Sequence, residues 1–137
     1  MKNEHRLRFL FATLLCVSAV LCVGLNNPES LQAQSAKNNL TGVWDSEWAG
    51  LKSTLTLENV TPDHAVGTFK SEVKGGNIYA GGLGGKVKGD TFMGHWADAE
   101  SSGKFKLTLT PDRKAFSGTW GTGSSNSNGG KWSARRQ

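Results

Sequence analysis

The chain has 137 residues, of which 36% are apolar and 20% charged, with a formal charge of +5 and two cysteines. This is within the range of one globular domain plus an extra segment. Cys16 and Cys22 both lie in one apolar run near the start, so the domain that follows has no thiol for a disulfide or a thiolate metal site and must be held by its own core.

Lys2, Arg6 and Arg8 precede the apolar run from Phe9 to Leu25, and Asn26-Asn27-Pro28 then leads to the small-x-small site Ala33-Gln34-Ser35. The pattern is that of a secretory signal peptide over residues 1–35, followed by a domain over 36–137. A run of about 17 residues also reaches the lower length for a spanning helix, so a retained anchor is the alternative. A lipoprotein signal is the lesser option, because Leu21 precedes Cys22 where that signal takes a small residue. Each reading places the domain outside the cytoplasm, secreted or periplasmic, with membrane association only if the N-terminal segment is kept. Residues 1–35 hold three basic and two acidic residues, which leaves 13 against 9, or +4, a charge that serves solubility.

Residues 36–39 are polar and read as a frayed lead-in. From there one phrase, glycine two places before an aromatic, recurs as Gly42-Val43-Trp44, Gly67-Thr68-Phe69, Gly94-His95-Trp96 and Gly118-Thr119-Trp120, at steps of 25, 27 and 24 residues. Such a period marks a repeated supersecondary unit. Each copy opens a strand, and return strands follow at 51–57, 86–88, 104–110 and 131–136, with Leu55-Thr56-Leu57 and Phe105-Lys106-Leu107-Thr108-Leu109 alternating at period two. Pro62-Asp63, Gly89-Asp90 and Pro111-Asp112 are tight turns. The glycine-rich stretch 75–85 and the Gly/Ser/Asn stretch 121–130 read as loops, and no stretch has helical periodicity.

Four hairpins make eight strands, and the expected fold is all-β: an antiparallel up-and-down meander whose aromatic face is buried by closing the sheet into a barrel. Trp44, Leu55, Leu57, Phe69, Phe92, Trp96, Phe105, Leu107, Leu109, Phe116, Trp120 and Trp132 should point inward together.

Leu40-Thr41-Gly42-Val43-Trp44 resembles the Gly-x-Trp that opens the first strand of the calycin superfamily, which includes lipocalins and avidins. The resemblance implies a late arginine packed over that tryptophan, and alternation with Trp132 and Ala134 selects Arg136, so Trp44 and Arg136 would close the barrel. Gly67-Thr68-Phe69-Lys70-Ser71 is similar to the third strand of avidins, with Phe69 in place of their tyrosine and Ser46 where their first strand offers asparagine. Those departures remove polar groups that hold biotin. MORN repeats, which form open sheets from Gly-x-Trp hairpins of similar period, are a second likeness.

Catalytic machinery is not expected. His64 falls in a turn and His95 opposite Trp96, no pair of histidines or cysteines has metal-ligand spacing, and Asp45/Glu47 and Asp98/Glu100 read as solvated strand ends. No cofactor is implied, and the aromatics share a face that the lysines do not, which argues against nucleic acid. The links between the two strands of each hairpin, at 49–50, 71–82, 97–103 and 121–130, gather at one rim, where Trp48, Ser71, Tyr79, Trp96, Asp98 and Trp120 form the candidate site. The leading expectation is a non-catalytic module that binds a small molecule or a partner. The alternative is a structural or protein-interaction module with a solid core, such as an envelope component or a protease inhibitor.

Overall fold

The computed structural model describes residues 28–73 and 75–137. Most of the expected signal segment, with its apolar run and cysteines, lies outside these residues. One helix, α1 (Pro28–Lys37), precedes β1 (Gly42–Trp48), β2 (Leu51–Thr61), β3 (His64–Glu72), β4 (Ile78–Lys88), β5 (Thr91–Asp98), β6 (Ser102–Leu109), β7 (Ala115–Thr122) and β8 (Gly130–Arg136). Each strand pairs antiparallel with the next, and β1 pairs antiparallel with β8, so the eight strands form a closed up-and-down barrel.

Closure follows from the period-two pattern, because one face of the sheet is too apolar to leave in water. In β2 Ser53, Leu55 and Leu57 are buried while Lys52, Thr54 and Thr56 are exposed, and in β6 Phe105, Leu107 and Leu109 are buried while Lys106 and Thr108 are exposed. Of the twelve residues expected inside, eleven are buried and Trp120 is half-buried against them.

In three of the four copies the glycine two places before the aromatic has a steric cause. A Cβ on Gly67 would lie 2.1 Å from the Thr56 carbonyl oxygen, on Gly94 2.0 Å from that of Gly84, and on Gly118 2.1 Å from that of Lys106. At each point the neighbouring backbone occupies the space of a side chain.

The same effect corrects the reading of 75–85 as a loop. The link is short, and Ile78–Lys88 is one strand, β4, paired along its length with β3 and β5. Gly81 and Gly85 lie where a Cβ would come within 2.4 Å of the Ala97 carbonyl oxygen and 2.2 Å of that of Met93. Pairing on both sides holds backbone that has little strand propensity of its own.

Two further differences concern the lead-in. α1 forms without a helical stripe: its sequence is largely polar, Leu31, Gln32, Ala36 and Lys37 are exposed, and Glu29 in its first turn and Lys37 in its last match the helix dipole. Residues 38–41 are tied down at the bottom rim, the end that carries the tight turns. Leu40 is fully buried, its N–H donates to Asn59 Oδ1 at 2.6 Å, and Asn59 Nδ2 donates to the Asn38 carbonyl at 3.0 Å. Trp44 Nε1 donates to the Leu40 carbonyl at 3.0 Å, and the Arg136 guanidinium lies 4.5 Å from the Trp44 ring centroid. Arg136 also donates from Nη1 to the Thr41 carbonyl at 2.6 Å and from Nη2 to the Asn39 carbonyl at 3.0 Å. One planar cation thus joins the last strand to the segment before the first.

Two measurements check these points. Gly94→Ala should lose about 1–3 kcal/mol or more through forced backbone separation, whereas Gly82→Ala, whose added Cβ would have 3.6 Å to its nearest neighbour, should stay within about 0.5 kcal/mol in urea unfolding. Arg136→Lys should lose about 1–2 kcal/mol, because an ammonium has no planar fork to stack and bond two carbonyls together.

Candidate functional site

At the top rim, opposite the tight turns, the structure brings Trp48, Ser71, Tyr79, Trp96, Asp98 and Trp120 together. Trp48, the last residue of β1, is the hub. Its ring centroid lies 5.5 Å from that of Phe69, 5.3 Å from Tyr79, 6.2 Å from Trp96, 5.0 Å from Trp120 and 6.3 Å from Trp132. Most of these contacts are tilted or edge-to-face, the arrangements that align ring edges with ring faces. Trp48 is 7% exposed, so the rings cap the barrel rather than line an opening.

Beneath the cap lies a row of hydroxyls. Ser46 on β1 is directly across from Ser53 on β2, Ser53 from Ser71 on β3, and Ser71 from Tyr79 on β4. The three serines are buried, and two of them receive indole N–H groups: Trp132 Nε1 donates to Ser46 Oγ at 2.8 Å and Trp48 Nε1 to Ser71 Oγ at 3.4 Å. Ser46 and Ser53 were not among the expected site residues. Their signal was their place on the same inner faces as Trp44, Trp48, Leu55 and Leu57.

Trp96 Nε1 donates to the Gly121 carbonyl at 2.9 Å, whereas Trp120 Nε1 is buried without a partner among the described residues. The Trp120 ring is held edge-on to Trp48 and, at 5.4 Å, to Trp96. Gly129 presses on its other side, leaving no room for a Cβ.

Asp98 is occupied by its own turn. Its Oδ1 accepts the N–H groups of Glu100 and Ser101, each at 2.8 Å, and its Oδ2 accepts the Tyr79 hydroxyl. These bonds tie β4 to the β5–β6 link and keep the Tyr79 ring against Trp48. The Ser/Asn stretch 124–128 is likewise bonded within its own turn: Ser125 Oγ accepts the N–H groups of Ser127 and Asn128, and Asn128 Oδ1 accepts that of Thr122 at 2.8 Å.

Neither of the two described depressions is lined by a tryptophan. A groove of about 1190 Å³ runs over the outside of the wall near Asp45, Lys52, Lys70 and Arg135, and one of about 620 Å³ lies between α1 and the Thr61-Pro62 turn. His64 and His95 stand on β3 and β5, with His95 exposed on the outer face.

Fold and rim together define a class: a small closed eight-stranded up-and-down β-barrel, compatible with a calycin-like barrel, whose interior is filled by its own aromatic side chains. In comparison with known proteins, no family model matches the chain, and no curated protein or solved structure matches it.

The bonding difference between two facing indoles yields a prediction. Trp96→Phe orphans the Gly121 carbonyl, whereas Trp120→Phe removes a donor that has no partner. In denaturant unfolding Trp96→Phe should therefore cost about 1–3 kcal/mol more than Trp120→Phe; equal costs would mean that the Trp120 N–H is bonded in solution.

Proposed function

We propose that the protein is a secreted or periplasmic, non-catalytic interaction module, a calycin-like barrel of four hairpin repeats that engages its partner with its outer surface. The observation that carries this reading is the aromatic cap. A ring in contact with five others at the rim occupies the space through which a ligand would enter, and displacing it would expose a cluster whose members each bury some 150–250 Å². The polar groups expected to orient a ligand are also engaged internally, Asp98 by Tyr79 and its own turn, and Ser71 by Trp48.

A second reading, binding of a small polar ligand at the top rim, has one specific observation in its favour. The unpartnered Trp120 N–H and the buried hydroxyl row would together offer donors and acceptors if Trp48 swung out.

Intrinsic tryptophan emission separates the two. Titration of the full chain with a library of small amphipathic ligands should leave emission at the position typical of buried indoles. A saturable shift with one ligand, lost in Trp48→Ala, would transfer the assignment to the rim.

A further inference from the structure

The barrel wall is electrically divided. On β1–β3 the outward positions carry Asp45, Glu47, Glu58 and Glu72 together with Lys52 and Lys70. From β4 to β8 the outward positions carry lysines, His95 and Arg135 but no carboxylate.

The cations fall into line because of the strand register. Lys86 is directly across from Met93, Met93 from Lys106, Lys106 from Thr119 and Thr119 from Lys131. Lysines therefore occupy alternate strands of one row, about 9–10 Å apart at ordinary strand spacing. Lys88, Thr91, Thr108, Ser117 and Ser133 form the next row in the same way, two residues further along each strand. A line of ammonium groups thus runs beside a line of hydroxyls. Among the described residues none of these lysines is held in an ion pair, and Lys86, Lys88, Lys106 and Lys131 are exposed.

We propose that this face binds a linear anionic polysaccharide, a chain of uronic acid residues laid across the strands from β4 to β8. The assignment names the partner of the outer-surface module proposed above and rests on that reading.

Three features select this partner. The row turns halfway round a closed eight-stranded sheet, so a flexible chain can follow it while a flat bilayer meets only part of it. The charges in the row are lysines, compact point charges on flexible stems set one to every second strand, an arrangement suited to single carboxylates spaced along a chain. The neighbouring groups are hydroxyls, which donate to and accept from sugar hydroxyls, and the aromatics that would stack nucleobases are inside the barrel.

The test uses the full chain and four probes in the same buffer: polygalacturonate, its fully methyl-esterified form, phosphatidylglycerol vesicles, and a single-stranded DNA oligonucleotide. Polygalacturonate should bind best, more weakly as salt rises, and the esterified chain should not bind. The triple variant Lys86→Gln, Lys106→Gln, Lys131→Gln should lose about tenfold or more in affinity. The double variant Lys52→Gln, Lys70→Gln on the opposite wall should stay within about twofold. Equal losses in both variants would mean attraction to net charge alone and would overturn the proposal, as would stronger binding to vesicles or DNA, or no binding to polygalacturonate. If polygalacturonate fails while tryptophan emission stays insensitive to small ligands, only the basic face is misassigned; if polygalacturonate shifts that emission and Trp48→Ala abolishes binding, the outer-surface reading falls as well.

Discussion

Trp48 touches aromatic rings from β3, β4, β5, β7 and β8, and the rest of the top half of the barrel depends on that contact. A sheet of eight strands encloses a space that side chains can fill, and here it is filled by indoles and phenyl rings whose polar edges find partners on the wall. The hydroxyls of Ser46 and Ser71 and the Gly121 carbonyl accept the N–H groups of Trp132, Trp48 and Trp96. Large apolar groups can then be buried without stranding their donors. Trp120 is the exception, and it lies beside the hub.

The bottom is closed differently. There the chain before β1 is folded under the barrel with Leu40 as a stopper, and Arg136 at the end of β8 bonds the carbonyls of Asn39 and Thr41 while stacking on Trp44. The turn at 110–114 adds a small pH-sensitive element at this rim: the Thr110 hydroxyl and the Lys114 N–H bond the Asp112 carboxylate and hold its pKa below the ordinary range. That contribution is present above the ordinary carboxylate pKa and is lost as pH falls through the lowered value.

Much of this was legible in the residues because burial in a closed sheet has period two. Alternation around Leu55, Leu57, Phe105, Leu107 and Leu109 locates the inner face without any knowledge of neighbours, and the spaced aromatics show that this face has to be covered. The run from Gly81 to Gly85 was not legible as strand, since glycine carries no alternation, and the reason for Gly81 and Gly85, a carbonyl on the next strand, appears only in the folded chain. α1 was hidden for the converse reason: it is polar all round and lacks the stripe by which a helix is recognised. At the rim the six candidate residues could be gathered from the direction of the strands. Whether they surround a hollow or touch one another depends on rotamers and on the register of the five strands that carry them, which no local pattern encodes.

The central claim is that the barrel is filled by its own rings, and the most direct measurement is of nuclear Overhauser contacts from the Trp48 indole protons in the full chain. The account predicts simultaneous contacts from that ring to Tyr79, Trp96, Trp120 and Trp132. A Trp48 ring that shows contacts to Ser71 alone, with Trp120 and Tyr79 free of it, would mean an open mouth and would contradict the claim.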